Sequence, residues 1–201
     1  MSSERSISLY EKSSALLPGG VSSPVRAFKP YPRFIKSGKG SKIFDVDDNE
    51  YIDYCMAFGP LILGHSNEAI ANAVTEQLSR GTLFGAPSEL EIEFAESVCR
   101  HFSSIEMLRP VSTGTEATMH AIRLARGYTG KKKIIKMEGG FHGAHDSVLV
   151  KAGSGALTHS VPNSAGIPEE STENTILVPF NDLNSIEESF KQNPGEIAAV
   201  I

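Results

Sequence analysis

The chain has only two cysteines, Cys55 and Cys99, and neither stands in a metal-binding or redox spacing. That excludes a disulfide scaffold and leaves two reduced, buried thiols as the expectation. Long apolar runs are missing as well. The longest, near residues 56–63, is interrupted by Gly59 and Pro60 and is too short to cross a bilayer. No apolar segment follows the polar start, so no signal peptide is read and a cytoplasmic location is expected. No long basic run occurs, and the net charge of -5 argues against a nucleic-acid surface. Neither membrane nor nucleic acid is therefore an expected partner. What is there is 201 residues, 40% hydrophobic and 21% charged, a balance that supports a globular core.

Periodicity orders the first half. Residues 8–17 read as a helix closed by Pro18-Gly19-Gly20. Residues 21–28 are too rich in proline for a helix, and Arg26 is the one charge among them. A guanidinium there can fork onto a carboxylate, although a solvated surface arginine is the simpler reading. Residues 33–54 read as a small antiparallel unit with turns at 37–40 and 47–50. The acidic run 45–50 lacks the spacing of a calcium loop and reads as a polar turn. Residues 67–80 form an amphipathic helix with Ile70, Ala73, Val74 and Leu78 on one side. Ser88-Glu89-Leu90-Glu91 is a capping box that opens another helix, with Leu90, Phe94, Ala95 and Val98 facing inward.

From residue 105 onward strands and helices alternate. Strands are expected at 107–111, 133–137, 175–178 and 197–201, and helices at 115–126 and 181–192. This argues a parallel sheet with helices on its faces, where ligands sit beyond the carboxyl ends of strands. The turn Ser112-Thr113-Gly114-Thr115 lies at such an end. The first N–H groups of a helix have no partner within it and point outward at the positive end of the dipole. Gly114 carries no Cβ to hold an anion away, and the neighbouring hydroxyls add donors. We read this turn as a phosphate cup, neither a P-loop nor a dinucleotide fingerprint; on the turn alone a plain capped helix start is the simpler reading. The helix after it is expected to bury Ala117, Ala121, Leu124 and Ala125 and to end at Gly127. Residues 138–146 come after a strand in the same manner. Residues 151–174 are long, rich in Gly, Ser and Pro, and suit a lid.

Together these segments resemble the class-III pyridoxal-phosphate aminotransferase family, and within it the branch that acts on glutamate 1-semialdehyde. The likeness runs through nearly the whole chain. It includes Leu17-Pro18-Gly19-Gly20-Val21-Ser22-Ser23-Pro24-Val25-Arg26-Ala27-Phe28, Ser112-Thr113-Gly114-Thr115-Glu116-Ala117, Ile122-Arg123-Leu124-Ala125-Arg126-Gly127, Phe141-His142-Gly143 and Val150-Lys151-Ala152-Gly153-Ser154-Gly155. The turn before Glu116 is shared across the family; the Pro-Val-Arg and Lys-Ala-Gly-Ser-Gly segments belong to the aminomutase branch. The resemblance implies an α/β, type I PLP-dependent transferase fold, a mostly parallel sheet with helices on both faces. It implies an N-terminal arm with a small antiparallel unit over 1–60. Residues 61–201 would be the front part of the large cofactor-binding domain, incomplete at the C-terminus.

The implied cofactor is pyridoxal 5'-phosphate. Thr113, Gly114 and Thr115 would hold its phosphate and Phe141 would cover its ring, with His142 also among the cofactor-binding residues. Ser23 and Arg26 would hold the substrate carboxylate, and Ser154, in the loop from Gly153 to Pro168, would gate the site. The implied reaction moves an amino group within glutamate 1-semialdehyde, a small amino-aldehyde, to give the tetrapyrrole precursor 5-aminolevulinate, in a homodimer. The family's Schiff-base lysine and its aspartate for the pyridine nitrogen would fall beyond Ile201. No catalytic residue is therefore assigned here, and the chain is expected to be a fragment without activity of its own. Ser112-Thr113 stands where Asn-Ser is commoner, Phe141 where tyrosine is, and Ala144-His145 where the order His-Ala is, so no role passes to His145. The pair His142 and His145 beside Asp146 finds no further ligand cluster, and no metal is expected. Two other readings stay open: another class-III omega-aminotransferase, which the Ser23-Pro24-Val25-Arg26 segment argues against, and a non-catalytic phosphate-binding module.

Overall fold

The computed structural model describes residues 4–151, 161–162 and 165–201. They form two compact units, Met1–Glu89 and Leu90–Ile201. In the first unit, helix α1 (Glu4–Leu16) precedes two short 3-10 turns, Pro18–Gly20 and Pro24–Arg26. Strands β1 (Ile35–Lys39), β2 (Lys42–Asp45) and β3 (Glu50–Ile52) form the expected antiparallel meander in chain order. Its first turn falls at Gly40-Ser41, later than the 37–40 expected. Gly40 supplies the positive φ of 57° that a tight reversal needs, while Ser37 and Gly38 pair in β1. The acidic run is a hydrogen-bonded turn around the buried Asp45. Its carboxylate accepts from the Asp47 and Asn49 N–H groups, from Asn49 Nδ2 and from Tyr51 Oη. Helix α2 (Glu68–Arg80) is capped by Asn67, whose side chain accepts from Ile70 N.

In the second unit, helix α3 (Glu89–His101) leads to α4 (Gly114–Thr129) and β4 (Lys133–Met137). The short antiparallel pair β5 (Val150–Lys151) and β6 (Val161–Pro162) comes next, then β7 (Thr175–Val178), α5 (Leu183–Gln192) and β8 (Ile197–Val200). The main sheet is parallel, in the order β7-β4-β8. Central β4 alternates between two cores, and its Ile134 and Ile135 are both 0% exposed. Ile134 packs with Ile122 of α4, Val148 and Ala199; Ile135 packs with Val178, Ile197 and Ile186 of α5. The helices therefore lie on opposite faces, as the alternating pattern requires.

Further expectations fail. Residues 107–111 carry no strand pairing among the described residues, and Met107 is 89% exposed, so no strand directly precedes the start of α4. Helix α4 runs through Gly127 and ends at Gly130, whose left-handed φ of 67° makes the C-cap. A glycine weakens a helix interior by only about 1 kcal/mol, which the packed turns around it outweigh. The covered side of α4 runs through buried Ile122 and half-buried Thr115, Thr118 and Ala125, while Leu124 is 73% exposed. Hydrophobicity favours the alanine side, but the threonine side wins because its hydroxyls bond the neighbouring loop. Finally, Cys55 is exposed and Cys99 half-buried, so the thiols are not core residues. The apolar sides of α2 and α3 are equally open, with Val74, Leu78, Leu90 and Phe94 exposed.

Candidate functional site

The start of α4 is a built N-terminus. Thr113 is its N-cap, extended at φ -141° and ψ 157°, with Oγ1 accepting from Glu116 N at 3.1 Å. The same hydroxyl donates to Glu116 Oε2 at 3.2 Å. Thr113 and Glu116 thus form a variant of the capping box, the same spacing that opens α3 at Ser88. The first intrahelical bond here runs from Ala117 N to Thr113 O at 3.1 Å. The N–H groups of Gly114 and Thr115 come before it and point along the dipole. A Cβ placed on Gly114 would meet nothing within 4 Å, so the space before it is open.

The loop after β4 closes on this helix start. Hydrogen bonds from Met137 N to Ile201 O and from Glu138 N to Val178 O hold the strand end on both sides. The chain then turns through Gly139 (φ 75°). Thr118 Oγ1 donates to His142 O at 2.6 Å, and Ala144 N donates to Thr115 Oγ1 at 3.1 Å. Gly143, at φ 98°, makes the approach possible: a Cβ there would lie 2.7 Å from Thr115 Cα. Because Thr115 accepts from Ala144, its own hydroxyl proton remains to donate.

Phe141, between these anchors, is 83% exposed. It lines a cavity of about 320 Å³ with Lys136, Glu138, His142, Val148 and Leu177. Lys136 is 4% exposed, and its ammonium donates to Gly140 O at 2.6 Å and Met137 O at 3.3 Å. Burial pushes its pKa down. His142 has a buried Nδ1 with no hydrogen-bond partner among the described residues. Burial, then the charge of Lys136, lowers the His142 pKa. His145 is lowered too, by burial first, and its Nε2 lies 3.4 Å from Thr118 Oγ1.

The structure therefore brings Thr113, Gly114, Thr115, Phe141 and His142 together in the second unit. Ser23 and Arg26 lie in the first unit. Ser23 O accepts from Arg26 N at 3.0 Å, and the exposed guanidinium donates to Ser22 Oγ at 3.2 Å. Ser154 lies outside the described residues. Sequence reasoning missed Lys136, whose only signal was a charge inside an apolar strand. It also missed the turn Met56-Ala57-Phe58, three successive non-glycine residues at φ 47°, 52° and 64°. Left-handed backbone costs such residues roughly 1–2 kcal/mol each. Asp53 holds the turn by accepting from Cys55 N and Met56 N, and His65 Nε2 lies 2.7 Å from Asp53 Oδ2. No composition signal marks it.

Comparison with known proteins adds lineage to this geometry. Glutamate-1-semialdehyde 2,1-aminomutase of Archaeoglobus fulgidus is 60% identical over all 201 residues, which cover 48% of that relative. A solved transaminase with PLP bound superposes with a TM-score of 0.92 at 37% identity, over 100% of this chain and 47% of that one. An omega-transaminase from Sphaerobacter thermophilus gives a TM-score of 0.91 at 34% identity, over 97% of this chain and 46% of that one. The chain spans about half the length of the curated relatives it matches. The model of the aminotransferase class-III family matches residues 25–201. With an α/β sheet, a capped anion-ready helix start and this match along most of its length, the chain belongs to the class-III aminotransferases.

Proposed function

We propose that the full-length protein is a pyridoxal-phosphate-dependent aminomutase that converts glutamate 1-semialdehyde to 5-aminolevulinate. The observation that carries the cofactor half of this reading is the open space at Gly114 on a helix N-terminus to which the loop bearing exposed Phe141 is hydrogen-bonded. These residues fit the group. The N–H groups of Gly114 and Thr115 and the Thr115 hydroxyl take the phosphate. Thr113 serves mainly as the cap that keeps those donors aligned, since its hydroxyl proton goes to Glu116. Phe141 offers an aromatic face to the ring. His142, its pKa lowered by burial first, lines the same cavity as Phe141. When bound, the cofactor supplies an electron sink and carries the amino group. The substrate half of the reading draws on the relative from A. fulgidus and on Arg26, whose guanidinium forks onto the substrate carboxylate beside Ser23.

The reading extends to a homodimer in the cytoplasm, to Ser154 as a gate, and to an arm over 1–60 before the large domain. Its test is conversion of glutamate 1-semialdehyde by the purified full-length protein. Formation of 5-aminolevulinate supports it, and no product with cofactor bound overturns it. The likeness to the S. thermophilus omega-transaminase favours a second reading, transfer from an omega-amino donor to a keto acid. Arg26→Ala separates the substrate contact: KM for glutamate 1-semialdehyde should rise roughly tenfold or more for a lost charged hydrogen-bond pair, with cofactor affinity unchanged. An unchanged KM overturns the carboxylate role.

A further inference from the structure

We propose that Asp47 is a positioning residue for the substrate-carboxylate clamp; this rests on the reading that Ser23 and Arg26 form that clamp. Asp47 lies in the turn between β2 and β3, its N–H fixed by Asp45 Oδ1 at 3.0 Å. Its carboxylate reaches back to the first turn of α1. Oδ1 accepts from Arg5 N at 2.9 Å, and Oδ2 accepts from Ser6 N at 3.0 Å and from Ser6 Oγ at 2.5 Å. The hydrogen bond from Ser6 holds the Asp47 carboxyl below its usual pKa. A carboxylate at this end of a helix satisfies orphan donors and meets the positive dipole.

The rest of α1 is mostly open to solvent among the described residues. Ser6 is the one fully buried residue of the helix, and Ile7 and Leu16 are exposed. The helix in turn fixes the segment after it. Gly20 lies flat against α1: a Cβ there would stand 2.7 Å from the Tyr10 ring and 3.1 Å from Ser14 Oγ. Leu17 N donates to Ser13 O at 2.7 Å and Gly20 N to Leu17 O at 2.8 Å, so the chain leaves the helix in one direction. Six residues later it reaches Arg26 through the 3-10 turn Pro24–Arg26. One path from sheet to clamp therefore runs through Asp47, α1 and Gly20, with Asp47 as a charged joint on it.

The experiment uses the full-length protein with pyridoxal phosphate and four forms: wild type, Asp47→Ala, Arg26→Ala and the double variant. Asp47→Ala should raise KM for glutamate 1-semialdehyde by roughly fivefold, the population shift that loss of a helix cap produces, with kcat and cofactor affinity within about twofold. Amide exchange across residues 4–26 should quicken by a similar factor. If Asp47 acts through Arg26, the double variant should be no worse than Arg26→Ala alone. Additive KM effects, or faster exchange with KM unchanged, overturn the inference. A silent Arg26→Ala overturns the clamp reading itself, and the inference falls with it. Asp47→Asn, which keeps one acceptor oxygen, covers the case in which alanine prevents folding; it should lie between wild type and alanine, and a wild-type KM with wild-type exchange counts against the proposal.

Discussion

Two glycines of the site should respond to the same substitution in opposite ways. Gly143→Ala puts a methyl group 2.7 Å from Thr115 Cα, 2.8 Å from its Oγ1 and 3.0 Å from its Cβ, at a φ of 98°. The nearest atom is backbone in the first turn of α4 and cannot swing away. Left-handed strain of about 1–3 kcal/mol adds to overpacking of similar size and to loss of the Ala144–Thr115 hydrogen bond, giving roughly 3–5 kcal/mol. Gly114→Ala meets no atom within 4 Å. At a helix start it should leave stability unchanged or raise it by up to about 1 kcal/mol. Yet it fills the space through which an anion would reach the backbone. Loss of one charge-assisted hydrogen bond, about 1.5–3 kcal/mol, weakens pyridoxal phosphate binding by roughly ten- to a hundredfold. The assay is denaturant unfolding without cofactor, paired with titration of pyridoxal phosphate against pyridoxal, in the full-length protein. Gly143→Ala should lose stability first; Gly114→Ala should lose phosphate discrimination alone. A Gly114→Ala protein that binds pyridoxal phosphate as tightly as wild type would refute the cup.

The remaining predictions are smaller. His142 and His145 both have folded pKa values below the ordinary 6.5, so the unfolded chain binds more protons in the window between. Stability should be fully present above pH 6.5 and fall as pH drops through that value towards the folded ones; replacing both histidines by glutamine should flatten the slope, and an unchanged slope in unfolding curves contradicts the assignment. Lys136→Met removes the donor to Gly140 O and Met137 O but also a buried charge. These oppose one another, so stability should change by less than about 1 kcal/mol, while cofactor affinity falls at least roughly threefold because the turn before Phe141 loosens. A denaturant midpoint and a cofactor titration on the same samples check both halves.

The central strand and its two helices are legible in the sequence because their signals are local. The bounds expected at 133–137 and 175–178 match the strands residue for residue, since buried parallel strands read as short apolar runs between turns. The start of α4 is legible because Thr113-Gly114-Thr115 has the chemistry of a helix start. The failures depend on partners distant in sequence. Whether 107–111 counts as a strand depends on a neighbour to pair with, and sequence cannot supply one. The buried side of α4 is settled by Thr118 reaching His142 O, a contact 24 residues away that hydrophobicity does not encode. Lys136 reads only as a charge within a strand, and its partners Met137 O and Gly140 O depend on the turn that follows. Asp47 reads as one acid in a polar run until α1 is laid against it.

The fastening of Thr115 to Ala144 and of Thr118 to His142 has a thermodynamic consequence. Two segments that would each wander as loose ends restrain one another as soon as the chain folds. If the N–H groups of Gly114 and Thr115 hold an anion as proposed, the entropy of arranging them is lost once, during folding, and is not lost again at each binding event. A ligand arriving at such a seat meets a surface already in shape, and its residence time is then set by the contacts it breaks on leaving.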